Sequence, residues 1–370
     1  MPRSRTMRHP VAAATIGSLV LAAGLLLTGC SPPLSAIADE QVPAPVTEGN
    51  YTLLWGPEIK PEALAMIAAS TVYCHLTMYE LSDQDILDAL AQAEQRGVDV
   101  EVVLDASEPH SQSVGYPYLK AHHVKVRLLS IPGGISHIKS LVVQTPQGLQ
   151  ALLGGMNFGS FSWSNHDASV FVHHANTSFE GLFEQDYARA GGDPHPQIAF
   201  APPLIYDTQI EPAMLQAISE ARSSIDIEAF AFTSRTLIDA LAAAVSRGVK
   251  VTVLLDHKEP YNRRTAARLI TAGAEVRYYV PYQGEYLHAK ILSVDNGRVL
   301  FVGSANFSYH GFAVNHEGDL ELDQAPQLAA SVDNDVQNQM ARGKDPGSAN
   351  YGSYGGSNSY AAGGYGTAGN

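Results

Sequence analysis

The chain has 370 residues and a formal net charge of −14 at pH 7, from 23 Lys and Arg against 37 Asp and Glu. An acidic surface repels nucleic acid, so this balance disfavours broad, sequence-independent binding of DNA or RNA, although it permits a local basic pocket. The two cysteines are Cys30 and Cys74. Cys74 lies in an apolar run that predicts a buried strand, so we expect a core thiol and no intramolecular disulfide.

Residues 1–29 have the pattern of an export signal. Three arginines precede the apolar run 11–27, which is too short to span a membrane comfortably and ends in Leu27-Thr-Gly-Cys30. This ending resembles a bacterial lipoprotein cleavage box, with lipid attached to Cys30; an uncleaved membrane anchor is the alternative. In either case we expect an exported protein of the cell envelope, held at a membrane surface. Loss of the three arginines would change the formal charge from −14 to −17.

Helices and strands alternate along the rest of the chain, after a predicted flexible spacer at 30–50 that is rich in Pro and Ala. Helical periodicity covers 61–69, 83–96, 211–222, 237–247, 263–272 and 325–341. Strands are predicted at 71–79, 98–104, 124–129, 137–143, 149–153, 225–232, 249–255, 275–280, 287–294 and 299–302. A Gly- and Pro-rich linker at 191–203 separates a first half, 51–190, from a second half, 204–343. Residues 344–370 are low in complexity and predict a disordered tail.

The two halves repeat each other at an offset of about 150 residues. Three pairs of segments carry the repeat: His137-Ile-Lys139 and His288-Ala-Lys290, Leu104-Asp105 and Leu255-Asp256, and Asn165-His-Asp167 and Asn315-His-Glu317. Two homologous halves in one chain predict an α/β fold of two lobes, each a mixed sheet flanked by helices, related by a pseudo-two-fold axis. Such symmetry brings one His-Lys pair from each half to one shared active site. Since both halves lie in one chain, we expect a monomer.

The His-Lys pair favours chemistry on a phosphodiester. In a strand, residues two apart lie on one face, so His288 and Lys290 are expected in one pocket. An ammonium group repels metal ions but neutralises phosphoryl oxygens, while the imidazole can attack phosphorus or transfer a proton. The turn at Ser304 and the amide of Asn306 are expected to add hydrogen-bond donors for the same oxygens.

The pattern H-x-K-x4-D followed by G-S-x-N resembles the signature of the phospholipase D superfamily. The second half carries it in full, at His288, Lys290, Asp295, Ser304 and Asn306. The first half carries His137, Lys139 and Asn157, with Gln144 in place of the Asp and Gly155 in place of the Ser. The resemblance implies that this Asp has a structural role more than a chemical one, so its absence from the first half is not strong evidence against activity.

The resemblance implies a reaction that needs no metal or other cofactor and proceeds through a phosphohistidine. His137 is the expected nucleophile and His288 the general acid and then base, although the near-equivalence of the two sites leaves the reverse order open. The lysines and asparagines of both motifs would hold the phosphoryl oxygens. A carboxylate downstream of each motif accepts a hydrogen bond from the motif histidine in this family, which assigns Asp167 to His137 and Glu317 to His288.

The leading functional hypothesis is hydrolysis or exchange of phospholipid head groups, because a lipid anchor raises the local concentration of a lipid substrate. A membrane-tethered, exported nuclease that uses the same two histidines is the alternative enzyme, and it predicts activity on DNA or RNA that falls steeply with salt. A non-catalytic binder of phosphate-bearing ligands is the third hypothesis, in which Gln144 and Gly155 mark decay of the first site.

Overall fold

Two β-sheets, one from each half of the chain, form the centre of the molecule. The computed structural model describes residues 42–193 and 200–347. The strands of the first sheet are β1 (Val46–Glu48), β2 (Tyr51–Trp55), β3 (Tyr73–Met78), β4 (Asp99–Asp105), β5 (Lys125–Leu129), β6 (Lys139–Thr145), β7 (Gly148–Gly154) and β8 (Ala168–Val172). The strands of the second are β9 (Leu204–Tyr206), β10 (Ser224–Ala229), β11 (Lys250–Leu255), β12 (Glu275–Tyr278), β13 (Lys290–Val294), β14 (Val299–Gly303) and β15 (Gly318–Asp323).

The sheets share one topology, as the sequence repeat predicts. The first runs β1-β2-β8-β7-β6-β3-β4-β5, and the second, taken in the opposite direction, runs β9-β15-β14-β13-β10-β11-β12. Strands β3, β4 and β5 are mutually parallel, whereas β6 lies antiparallel to β3. The second sheet repeats this mixed pattern. The mixed α/β architecture of two lobes is therefore confirmed.

Helices connect the parallel strands and close each half. They are α1 (Ile59–Ala69), α2 (Gln84–Gln95), α3 (Tyr116–Ala121), α4 (Thr177–Gly191), α5 (Ile210–Glu220), α6 (Arg235–Ser246), α7 (Asn262–Ala272), α8 (Tyr309–Ala313) and α9 (Pro326–Arg342). Gly97 and Gly248 follow α2 and α6 with φ of 87° and 90°, a left-handed conformation that glycine adopts without strain and that ends each helix. Asp83 caps α2 by accepting a hydrogen bond from the Ile86 N–H at 3.1 Å.

Three apolar cores build the layers. One lies between the first sheet and the helices α1, α2 and α3, and another lies between the second sheet and α5, α6 and α7. The third joins the halves: it contains Ile138 and Leu153 from the first sheet and Ile291 and Leu320 from the second, together with side chains of α4 and α9. Through this shared core the two sheets pack face to face, and the ends of the central strands that carry the motifs meet.

The observed helices α1, α2, α5, α6, α7 and α9 lie within two residues of the predicted ranges at each end, and the ten predicted strands agree within three. Helices α3, α4 and α8 have no counterpart among the predicted ranges. The spacer predicted over 30–50 is wrong for its last residues. Strand β1 pairs with β2, and the Glu48 carboxylate accepts hydrogen bonds from the first turn of α9, at Gln327 N (2.9 Å) and Leu328 N (3.1 Å). Likewise Lys344, placed in the predicted tail, pairs with Tyr278 in a β-bridge.

Several predictions concern residues outside the described part of the chain. The export signal, Cys30, most of the spacer, positions 194–199 of the linker and the tail beyond 347 all belong there. Among the residues that are described, none forms a helix of the length and apolarity that a membrane span requires.

Candidate active site

The two His-Lys pairs lie at the start of equivalent central strands. Lys139 is the first residue of β6 and Lys290 the first of β13, and each lysine ammonium donates a hydrogen bond to the carbonyl oxygen of its own motif histidine. The expectation that the histidines themselves are strand residues is wrong. His137 and His288 precede the strands, because the backbone at each of them pairs with a segment of the other half instead.

The pairs converge on one site. Both lysines lie close enough to His137 to lower its pKa, and Lys139 has the same effect on His288 across the boundary between the halves. The site is nearly closed to solvent: the side chains of His137 and Glu317 are 2% and 0% exposed, whereas that of His288 is 13% exposed. The structure thus brings together the four residues that the repeat predicts to share a site.

Each motif histidine is hydrogen-bonded to a carboxylate of the opposite half. His137 Nδ1 lies 3.0 Å and 2.9 Å from the two carboxylate oxygens of Glu317, and His288 Nδ1 lies 2.6 Å from Asp167 Oδ2. The prediction that Asp167 serves His137 and Glu317 serves His288 is therefore wrong, because the partners are exchanged. Both carboxylates are fully buried, so each histidine Nδ1–H has a strong, oriented acceptor.

The backbone explains the exchange. Segment 165–167 runs beside the start of the second motif, with a parallel bridge between His166 and Leu287, and segment 315–317 runs beside the first, with a bridge between Ser136 and His316. The backbone N–H of His288 donates to the His166 carbonyl at 2.8 Å, and that of His137 donates to the His316 carbonyl at 2.8 Å. Reciprocal contacts of this kind are what a two-fold relation between the halves requires.

Burial and the neighbouring lysines keep both histidines neutral. Burial, Lys139 and Lys290 hold the pKa of His137 well below its usual value. Burial and Lys290 lower the pKa of His288 to about 4, against the opposing effect of Asp167. A neutral imidazole whose Nδ1–H donates to a carboxylate carries a lone pair on Nε2 that can attack or accept a proton. In His288 this Nε2 lies 3.3 Å from the Lys290 ammonium.

Burial shifts the pKa values of both lysines and of Glu317 towards their neutral forms. Burial lowers the pKa of Lys139 well below its usual value and that of Lys290 to about 8. Burial also raises the pKa of Glu317 to about 7, although Lys139 and hydrogen bonds oppose the shift. Asp167 and Glu317 partly oppose the effect of burial on the lysines, but the lysine pKa values stay depressed, so an incoming anion would favour the charged ammonium groups.

The turns that follow β7 and β14 carry the asparagines to the same edge. Strand register sets Leu153 opposite Ser140 and Val302 opposite Ile291, so each turn begins beside a motif lysine. The side-chain Oδ1 atoms of Asn157 and Asn306 are buried and lack a hydrogen-bond partner among the described residues. Since the O and N positions of an amide are interchangeable by a flip, these groups can present donors to a phosphate.

Ser304 has a different role from the one predicted. Its hydroxyl donates to Glu317 Oε2 at 2.6 Å and accepts from Gly318 N at 3.0 Å, so it holds the carboxylate that orients His137. In the first half Gly155 takes this place, and a Cβ atom there would lie 2.2 Å from Asp167 Oδ1. The position of Asp167 thus leaves no room for a side chain at 155. The glycine is explained by this contact and does not need loss of catalytic function in the first half as its explanation.

Asp295 does not belong to the site. It follows β13 at the end opposite Lys290, and its carboxylate accepts hydrogen bonds from the backbone N–H groups of Arg222, Ser223 and Ser224 at 2.7–3.2 Å. These bonds lower the pKa of Asp295 to about 2 although burial acts in the opposite direction. Asp295 thus fixes the connection between α5 and β10, so although the motif groups it with the site residues, its role is structural.

The family model described as "Cardiolipin synthase, PLD-like domain" matches residues 63–187 and, a second time, residues 214–340. The chain belongs to the phospholipase D superfamily. Cardiolipin synthase B of Escherichia coli (strain K12) is 31% identical over 143 residues, which are 35% of this chain and 34% of that protein. The chain thus matches about a third of the length of this curated relative.

Two solved structures have the same fold. Phosphatidylserine synthase from Haemophilus influenzae Rd KW20 has a TM-score of 0.61 at 16% identity and covers 79% of this chain and 86% of its own. Polyphosphate kinase from Porphyromonas gingivalis has a TM-score of 0.60 at 19% identity, covering 81% of this chain and 50% of its own. Both likenesses concern the fold alone.

Two sets of site residues escaped prediction from sequence. Tyr79 and Phe230, at the shared offset of 151, lie with their rings 5.0 Å from the rings of His137 and His288. Asp105 accepts a hydrogen bond from Ser136 N at 2.6 Å, and Asp256 from Leu287 N at 2.9 Å, so each carboxylate holds the residue before a motif histidine. The repeat of Leu104-Asp105 at Leu255-Asp256 was the available signal.

Groups able to share a cation lie outside the motifs. Within residues 42–193 and 200–347, two clusters of three histidine or carboxylate ligands are close enough: His75 with Glu180 and Glu184, and His166 with Glu228 and Asp335. A cavity of about 290 Å³ is also lined by His166, with Trp163 and Tyr279, and includes none of the motif residues. Neither cluster contains a motif histidine or lysine.

Proposed function

We propose that the protein is a phosphodiesterase of phospholipase D type, which hydrolyses or exchanges the head group of a phospholipid through a phosphohistidine. One observation carries the proposal: two His-Lys pairs meet in a single buried site, and each histidine is oriented by a carboxylate from the opposite half. Displacement at phosphorus needs a nucleophile on one side and a proton donor on the other, and paired, oriented imidazoles provide both.

His137 is the proposed nucleophile. Its Nε2 forms a bond to phosphorus while the bond from phosphorus to the head-group oxygen breaks, and His288 transfers a proton from Nε2 to that oxygen. Water or an alcohol then gives a proton to His288 and attacks phosphorus, which breaks the P–N bond. The side chain of His288 is 13% exposed against 2% for His137, so the departing head group and the incoming water have the shorter path past His288.

Charge stabilisation comes from the lysines. Lys139 and Lys290 are 3% and 1% exposed, and in such a site of low polarity each ammonium interacts strongly with a phosphoryl oxygen. A bound phosphodiester, in turn, raises the pKa of the lysines and of His288, because a negative charge favours the protonated forms. Substrate binding thereby favours protonation of His288, which is neutral in the free protein, and so produces the general acid.

A phospholipid is the proposed substrate, for two reasons. The chain shares its family with cardiolipin synthases, and residues 1–30 have the pattern of a lipoprotein signal that would attach Cys30 to a membrane. Tethering would raise the local concentration of lipid without any new contact. We therefore include export and anchoring in the proposal, with the protein acting as a monomer and without a metal.

The test uses the full chain, purified in detergent and offered phosphatidylcholine, phosphatidylglycerol or cardiolipin vesicles, all with EDTA. Single-stranded DNA is offered in parallel. We expect phosphatidic acid or an exchanged lipid, lost in His137→Ala and in His288→Ala but kept in His174→Ala, which changes an exposed histidine. With radiolabelled lipid, covalent label should appear on the wild type and be absent from His137→Ala.

DNA cleavage with intact lipid would replace the proposal with a nuclease. Turnover of neither substrate, together with tight binding of phosphate esters, would make the protein a binding module. Covalent label that persists in His137→Ala but disappears in His288→Ala would show that His288 is the nucleophile and His137 the general acid.

A further inference from the structure

A second pair of histidines lies directly behind the catalytic carboxylates. His166 precedes Asp167 and His316 precedes Glu317. The backbone of each is hydrogen-bonded to the opposite motif on both sides: His166 N donates to Tyr286 O at 2.9 Å, His316 N donates to Ile135 O at 2.9 Å, and both carbonyls accept from motif histidines. Each of these residues thus links a carboxylate directly to the histidine that it serves.

Their rings make the same ionic contacts in both halves. His166 Nε2 lies 2.7 Å from Asp335 on α9, and His316 Nε2 lies 2.7 Å from Asp186 on α4. The two aspartates are themselves repeat equivalents, 149 residues apart. The contacts join opposite halves, since α4 belongs to the first and α9 to the second. The rings of His166 and His316 are 1% and 2% exposed, so water does not weaken either ion pair.

Additional carboxylates favour the charged form of both rings. Glu228 Oε2 lies 3.3 Å from His166 Nε2, and Asp207 Oδ1 lies 2.8 Å from His316 Nδ1. Burial alone would lower the pKa of each ring, yet the carboxylates raise that of His316 to about 10 and that of His166 well above its usual value. The chain thus has two cationic histidines directly behind its two neutral ones.

We propose that His166 and His316 are positioning residues, each a buried cationic clamp that fixes the adjacent carboxylate against the motif histidine of the opposite half. Successive side chains of an extended segment point to opposite sides, so the ring is anchored in one direction while the carboxylate projects in the other. A displacement of about 1 Å at a reacting group can cost about 10²-fold in rate, which is why such an anchor matters. The catalytic part of this inference rests on the proposed function.

A metal ion is the competing explanation for one of the two clamps. The donor atoms of His166, Glu228 and Asp335 lie within 4.8 Å of one another, close enough to share an ion. At the equivalent place, however, His316 uses Nε2 for one carboxylate and Nδ1 for the other. One ion cannot bridge opposite sides of a ring, so a cationic imidazole is the explanation that suits both copies.

A double-mutant cycle tests whether His316 acts through Glu317. In the wild type we expect His316→Gln to lower kcat about 10- to 100-fold with a smaller change in KM. In a Glu317→Gln background, where the carboxylate is already lost, the same change should lower kcat less than about 3-fold. Equal losses of kcat in both backgrounds would overturn the proposal, since a general structural defect does not depend on Glu317.

A measurement without substrate separates the clamp from the proposed activity. A ring N–H held by a buried carboxylate gives its own low-field proton signal, so His137, His288, His166 and His316 should all contribute. The His137 and His288 signals are assigned by their loss in His137→Ala and His288→Ala. His316→Gln should shift or remove the His137 signal and spare that of His288, and His166→Gln should do the reverse. His174→Gln, at an exposed position, is the matched control and should change neither. Unshifted signals in both clamp variants would refute the clamp even if the enzyme proved inactive on lipid.

Two further checks keep the test decisive. If a glutamine variant does not fold, Asp186→Asn and Asp335→Asn remove one charge with little change in volume, and each should reproduce the shift of the matching signal; a spectrum like the wild type's would count against the clamp. Elemental analysis of the full chain should find no stoichiometric metal. A metal retained at one per chain and lost in Asp335→Asn would overturn the proposal in favour of an ion at His166.

Discussion

Replacing Glu317 by Gln should disable His137, a residue 180 positions away, and should leave the orientation of His288 intact. Every group around the Glu317 carboxylate is a hydrogen-bond donor: His137 Nδ1, the Ser304 hydroxyl at 2.6 Å and the Asn315 amide at 3.0 Å. In a glutamine the NH₂ faces His137 or Asn315 in one orientation and Ser304, whose hydroxyl can turn to accept, in the other. In both orientations the negatively charged acceptor of the His137 Nδ1–H is lost.

The magnitude follows from the charged hydrogen bond that is removed. Bonds to charged groups contribute about 1.5–3 kcal/mol, and about 1.4 kcal/mol corresponds to a factor of ten in rate, so kcat should fall about 10- to 160-fold. The pH profile provides a second signature. Because burial raises the pKa of Glu317 to about 7, the ionised acceptor is lost as the pH falls through 7, and kcat/KM of the wild type should decline there. In Glu317→Gln this acid limb should be absent.

The assay is head-group release from phospholipid vesicles between pH 5 and 9, combined with the low-field proton spectrum of the substrate-free protein. Asp167→Asn is the matched variant, and it should perturb the His288 signal alone. If Glu317→Gln altered the His288 signal and spared that of His137, the crosswise pairing would be wrong. An acid limb unchanged in Glu317→Gln would show that another group controls activity near pH 7.

Three shorter predictions follow from other contacts. Because the pKa of Lys290 is about 8, its charge is lost above that pH, so kcat/KM should decline there, and Lys290→Arg should move this limb upward if the cation is what the substrate needs. Asp295→Asn should lower the free energy of unfolding at pH 7 by about 1–3 kcal/mol and leave kcat unchanged. Because the pKa of Asp295 in the folded protein is depressed to about 2, the difference in unfolding free energy between wild type and variant should shrink as the pH falls from 4 to 2, as measured by denaturant titration. Gly155→Ala sets a Cβ 2.2 Å from Asp167 and should lower kcat at least about 10-fold, whereas Gly318→Ala, whose nearest neighbours are 3.6 Å away, should not; equal activities would contradict this.

Much of the fold could be predicted from local patterns. Apolar periodicity located six of the nine described helices within two residues and gave no range for α3, α4 and α8. The glycines at 97 and 248 marked helix ends correctly because glycine adopts that conformation without strain. Strands β1, β2, β8, β9 and β15 were not predicted. All five lie beyond the motif strands toward one edge of a sheet, where pairing, rather than the intrinsic preference of the residues, stabilises the extended conformation.

The distance of Asp295 from the site follows from strand geometry. A strand rises about 3.3 Å per residue, so a residue five positions beyond Lys290 lies roughly 16 Å from it and cannot reach the same phosphate. The roles of Asp105 and Asp256, in contrast, had a signal in the repeat, but no local pattern indicates that a carboxylate will accept a hydrogen bond from a residue 31 positions later.

The sequence by itself determined the reacting groups and their number. The repeat of His-x-Lys and of Asn-His-acid at an offset of about 150 predicted two lobes with a shared site, since spacing and residue type are properties of the chain alone. Only the tertiary structure decided which carboxylate serves which histidine. The sequence is the same whether each histidine pairs with the carboxylate of its own half or of the other half, so it cannot distinguish the two arrangements. Parallel bridges from His166 to Leu287 and from Ser136 to His316 select the pairing between halves, and these bridges exist only after the halves pack together.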